Sequence, residues 1–139
     1  MSQRLQYLFS QVLLLINLIA LIIVLVMLLY PYKILVIDKP PKVLTPRLKV
    51  GDTLEVEICY CKYMDLEASS IKTLVDGTIY TLHSNETNLP VGCNVWVSKT
   101  LIPKIQTGTY FLKQDFIYKP NPLRTVKVTF TTGTFEIYE

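Results

Sequence analysis

One stretch limits what the rest of the chain can build. Val12–Tyr30 reads VLLLINLIALIIVLVMLLY, 18 apolar residues in 19, with Asn17 the exception. A helix rises about 1.5 Å per residue, so the run is roughly 28 Å long, close to the ~30 Å hydrocarbon core of a bilayer. A helix that is apolar on every side can also be buried inside a large protein. The remainder of a 139-residue chain is too short and too rich in β-formers to surround it. The expectation is one membrane span over residues 12–30, within an anchor of residues 1–31, with the lipid bilayer as one partner.

The flanks agree. Tyr7 and Phe9 precede the run and Tyr30 and Tyr32 follow it, the places where aromatic rings settle at the membrane interface. Pro31 ends the helix, because it has no N–H to donate and its ring clashes with the preceding turn. The run exceeds the ~7–15 apolar residues of a signal peptide, and no A-x-A-like site follows it, so the anchor is expected to stay attached. Asn17 lies inside the span, where a lone amide is often satisfied by a neighbouring helix.

Orientation stays open at this point. Arg4 lies on one side and Lys33, Lys39, Lys42, Arg47 and Lys49 on the other, so the positive-inside rule alone would hold the following domain in the cytoplasm. The rule weakens when a long domain follows, and placement outside the cytoplasm is slightly favoured. From Pro31 onward 13 basic residues face 11 acidic ones. That near-neutral domain has no basic run to recruit nucleic acid.

Residues 32–46 include Pro40, Pro41 and Pro46 and read as an extended tether leading into a first strand. Residues 47–139 show no helical period. Leu54, Val56, Ile58 and Tyr60 alternate with Glu55, Glu57, Cys59 and Cys61, the pattern of a half-buried strand. Further strands are expected over residues 71–75, 78–82, 94–102 and 109–118. A last one covers 124–130 and 135–138, broken near Gly133. Asp76-Gly77 supplies a turn, and 83–92 reads as a polar loop. About seven strands in this length imply an all-β, two-sheet sandwich behind one N-terminal transmembrane α-helix.

Leu101–Leu112, LIPKIQTGTYFL, resembles the fibronectin type III pattern of leucine, proline, a turn, then a tyrosine opening the sixth strand. The resemblance implies an Ig/fibronectin III-like domain in which Tyr110 bonds its hydroxyl to upstream backbone. The tryptophan usual on that family's second strand is absent, and Trp96 lies on the fifth. A wider likeness rests on YCKY, LVDGTIYTL, VGC, TGTY and NPLRT, in this order behind one span. It resembles small membrane proteins of tailed phages and environmental viruses, and implies a viral origin without any activity.

The fibronectin-like strand order makes the second and fifth strands antiparallel neighbours, with Cys61 and Cys93 at one pole. A Cys61–Cys93 disulfide then comes within reach if the Cα atoms approach to ~7 Å. Alternation is a warning. Cys61 shares a side with Glu55 and Glu57, Cys93 with Val95 and Val97, so a bulge near Cys59-Tyr60-Cys61 would be required. Cys59 and Cys61 point the same way and do not pair. Packed free thiols are the other ordinary reading. Three cysteines and His83 make a Cys₃His set, but C-x-C lacks the C-x₂₋₄-C spacing of a zinc knuckle. One histidine is too few for blue copper.

Nothing else points to catalysis, and neither catalytic residues nor a cofactor are expected. There is no phosphate-binding glycine loop and no G-x-S-x-G elbow. Glu55 and Glu57 read as a solvated face, and Asp65 with Glu67 are too few carboxylates for calcium. Asn85-Glu86-Thr87 is a glycosylation sequon. The proline-stiffened loop carrying Lys119, Asn121 and Arg124 is a candidate interaction loop. The chain therefore reads as an anchored interaction module with an unidentified protein partner and no small-molecule substrate. The alternative is a structural subunit packed through its helix.

Overall fold

The computed structural model describes residues 3–82 and 84–139. His83, the fourth member of the Cys₃His set, lies outside them. The chain divides into two compact units. One holds the chain up to Tyr32 together with Asn121–Arg124, the other Lys33–Pro120 and Thr125–Glu139.

The first unit is built on helix α1, Gln3–Leu29. It contains no glycine or proline, and none of its residues is buried. It is long and apolar enough to cross a membrane. Its last intrahelical bond runs from the Tyr30 N–H to the Val26 carbonyl, and Pro31 follows. A helix end leaves its final carbonyls without donors. Here Asn121 Nδ2 donates to the Met27 carbonyl at 3.0 Å, and Arg124 donates to the carbonyls of Leu28, at 2.8 Å, and Tyr30.

The second unit is β-rich and sandwich-like. Its strands are β1 (Leu35–Ile37), β2 (Lys42–Val43), β3 (Arg47–Lys49), β4 (Thr53–Lys62), β5 (Ala68–Val75), β6 (Ile79–Thr81), β7 (Asn85–Thr87), β8 (Gly92–Leu101), β9 (Gly108–Asn121) and β10 (Arg124–Tyr138). In the first sheet β4 is central. β8 lines one side of it along its whole length, and β1 and β2 share the other. The second sheet runs β3-β10-β9-β5-β6, with β7 also on β5. β3 lies parallel to β10, with Leu48 opposite Ile137.

The period-2 pattern explains the core. Leu54, Val56, Ile58 and Tyr60 of β4 face Tyr110, Leu112, Phe116 and Tyr118 of β9, with Leu74, Phe130, Phe135 and Ile137 completing the interior. Gln114 is fully buried on the same face. It donates to Ser70 Oγ at 2.7 Å and accepts from Ser98, so a polar bridge links the sheets without an orphaned group.

Among the described residues there are ten strands where about seven were expected, and the physical reasons are local. Residues 32–46 do not run free. Ile34 and Leu35 are buried, and β1 and β2 pair with β4 between the prolines. The polar stretch 83–92 contains β7, held by β5 although its side chains are hydrophilic, because backbone pairing alone forms an edge strand. Gly133 does not end β10, which runs on through it with no positive φ, but the alternation shifts there: Phe130 and Thr132 are buried before it, Phe135 and Ile137 after it.

Candidate functional site

β4 and β8 pair residue for residue from Thr53↔Leu101 to Lys62↔Gly92, with no bulge. Cys61 stands opposite Cys93, and the two are joined as a disulfide with Cα atoms 4.0 Å apart. The parity warning came from placing Val95 and Val97 in the core. Val95 is instead 62% exposed, while Ser98 and Thr100 are buried and Trp96 is half-buried. The inner face of β8 carries Trp96, Ser98 and Thr100, and its outer face carries Cys93, Val95 and Val97. Cys59 is a free thiol on that outer face, half-buried opposite Val95. A shallow groove of about 420 Å³ lies over it, walled by Asp38, Lys39 and Asn94.

The ladder fixes which backbone groups of β8 are used. Cys59 O accepts from Asp38 N–H, and Glu55 O from Leu44 N–H, so these residues of β4 turn their peptide groups away from β8. Their partners Val95 and Lys99 are non-hydrogen-bonded pairs and turn theirs toward the open side. By alternation Cys93 and Val97 do the same. Among the described residues no strand pairs with that side. Lys72 Nζ covers one end of it, donating to the Lys99 carbonyl at 3.0 Å and to Thr100 Oγ1 at 2.8 Å. Burial lowers the Lys72 pKa. The stretch from Cys93 to Val97 stays uncovered, an open edge with apolar side chains. Sequence reading missed it because it put Val95 and Val97 inside. The polar alternates Asn94, Ser98 and Thr100 were the signal for the opposite parity.

The residues of the candidate interaction loop separate. Lys119 lines a cleft of about 500 Å³ with Asp65, Glu67, Glu86 and Asn88. Lys62 is buried nearby, its ammonium donating to Leu66 O at 2.7 Å, Asn88 Oδ1 at 2.6 Å and Leu89 O at 2.8 Å. Burial lowers its pKa, and the charges of Asp65 and Glu67 oppose that shift. Asn121 and Arg124 belong to the first unit. Besides the helix carbonyls, Asn121 donates to Tyr32 Oη at 3.0 Å, and the Arg124 guanidinium lies 5.7 Å from the Tyr32 ring centre. Tyr30 and Tyr32 meet edge to face at 4.9 Å. Tyr7 and Phe9 stand exposed on α1. Asn17 Nδ2 donates to the Leu13 carbonyl of its own helix at 2.9 Å.

Among the described residues, no three of His, Cys, Asp and Glu converge to hold a metal ion. Glu55 forms an ion pair with Lys99 across the strands at 3.0 Å. Tyr110 Oη donates to the Gln106 carbonyl at 2.8 Å, and burial beside Asp76 and Tyr80 pushes its pKa up to about 12. No known protein family matches this chain, and no curated protein is significantly similar to it in sequence.

Proposed function

We propose that this is a single-pass membrane protein presenting an Ig/fibronectin III-like sandwich as a binding module, and that it acts by binding rather than catalysis. The observation that carries the reading is the open edge of β8 behind an apolar 27-residue helix. Unpaired N–H and C=O groups at strand spacing are a template for another extended backbone. The partner is then a polypeptide segment that adds a strand beside Cys93–Val97, with small or apolar side chains against Val95 and Val97.

Several features support the finer parts. The Tyr110–Gln106 bond is the corner expected of an Ig or fibronectin III domain, and β4–β8 with β10-β9-β5 follow the corresponding sheet order. A disulfide persists in oxidising compartments, which favours a domain outside the cytoplasm over the side suggested by the lysines after the helix. The likeness to small phage and viral membrane proteins makes a virus-encoded protein acting at a host envelope the working setting.

The test uses the full chain in its native membrane with a photoreactive residue at Val95. The reading expects one discrete adduct. Val97→Pro removes an outward N–H without touching the β4 ladder, and should abolish that adduct while leaving the fold intact. An adduct indifferent to Val97→Pro, or none in the folded anchored protein, would rule out the strand-addition reading.

A further inference from the structure

Helix α1 repeats every seven residues. Gln3, Ser10, Asn17 and Val24 form one row, and Gln6, Leu13, Ala20 and Met27 form a second, three residues on from the first. Together they trace one seam of period 3.5, the spacing at which two helices stay in register over their length. The residues on that seam differ from the others. Asn17 is the only polar residue of the apolar run and Ala20 its only alanine, and both lie on it. So do three of the four polar uncharged side chains before the run that the structure describes, Gln11 being the exception. The only charge on the helix, Arg4, is off the seam.

The chemistry of Asn17 selects the occupant. One amide N–H is held by the Leu13 carbonyl. A second N–H and the carbonyl oxygen remain, and among the described residues Oδ1 accepts no bond. In hydrocarbon there is no water to satisfy them. Across a parallel two-fold axis Asn17 meets its own copy, and each amide gives one hydrogen bond and receives one. Gln3, Gln6 and Ser10 are likewise neutral donor–acceptor groups that match themselves. Two copies of one anchor insert in the same direction, so the parallel two-fold pairing needs no second topology. Ala20 lets the backbones approach one turn beyond the amide.

We infer that α1 pairs with a second copy of this chain through the seam Gln3, Ser10, Asn17 and Val24 with Gln6, Leu13, Ala20 and Met27, with reciprocal Asn17 amide bonds at its centre. The inference rests on the reading of α1 as a membrane span. Sodium carbonate extraction of the full chain checks that reading separately, and release from the membrane would overturn both.

The pairing itself is tested with single cysteines in full-length Cys59→Ser protein, which keeps the native disulfide. Ala20→Cys and Val24→Cys sit on the seam, Leu15→Cys and Ile22→Cys on the opposite face. Mild oxidation in membranes should give a disulfide dimer of twice the chain mass several-fold faster at the seam positions. Asn17→Leu should weaken the dimer roughly 3- to 30-fold, the range of one interhelical side-chain bond, and Asn17→Gln should restore most of it. Equal crosslinking on both faces overturns the inference. So does no crosslinking in carbonate-resistant protein, or a seam adduct of any other mass.

Discussion

Lys62 shows how much one side chain organises. The last inward residue of β4 ends in an ammonium, and three neutral oxygens from Leu66, Asn88 and Leu89 take its three donors. It thereby ties the segment after β4 to the segment before β8. Lys62→Met would leave those acceptors without their donor, and should lower unfolding free energy by roughly 2 kcal/mol in urea titrations of the full chain in micelles. A second residue gives a pH signature. Burial alone would raise the Asp115 pKa, but hydrogen bonds from Lys127 and Thr129, with the charges of Lys127 and Lys113, bring it below the usual value. A depressed carboxylate contributes stability above its unfolded pKa of about 4, and that contribution is lost as pH falls through the folded pKa. Asp115→Asn should therefore destabilise the protein at neutral pH and flatten its acid-side loss of stability. An acid profile identical to that of the unmodified protein would show that Asp115 does not contribute.

At the scale of elements, the disulfide and the helix end are the two features that can be probed independently. Cys61 and Cys93 close a stretch of 32 residues. By chain entropy that closure is worth about 3–4 kcal/mol. The double replacement Cys61→Ser, Cys93→Ser should lower stability by up to that amount, and reductant should do the same to the native chain. At the helix end, Arg124→Ala or Asn121→Ala leaves carbonyls of Met27, Leu28 or Tyr30 without donors. Hydrogen exchange over the last turn of α1 should accelerate roughly 2- to 10-fold in nanodiscs, the range of one net hydrogen bond. The long apolar helix was legible in sequence from its unbroken run, and β4 and the inner face of β9 because each has one strong period. β1, β2 and β7 were not, because short edge strands are held by backbone pairing and carry little side-chain pattern. The parity of β8 was misread because Val95 and Val97 look like core residues. They lie outside, where the disulfide and Cys59 also sit. That Asn121 and Arg124 meet a helix some 90 residues earlier is a tertiary fact no local pattern could carry.

At the scale of the whole molecule, an apolar helix is followed in sequence by a disulfide-stapled β domain with an open strand edge at β8. The proposed role gives each part a use at a membrane: the helix for retention, the disulfide for an oxidising space, the β8 edge for capture of an extended segment. Compartment is the point on which these parts depend together. Alkylation of the full-length protein in intact native membranes, with and without reductant, followed by peptide mass spectrometry, tests it most directly. The account predicts a linked peptide pair containing Cys61 and Cys93 before reduction, with only Cys59 alkylated. All three cysteines alkylated without reductant would contradict it, and would return the domain to the cytoplasmic side that its lysines suggest.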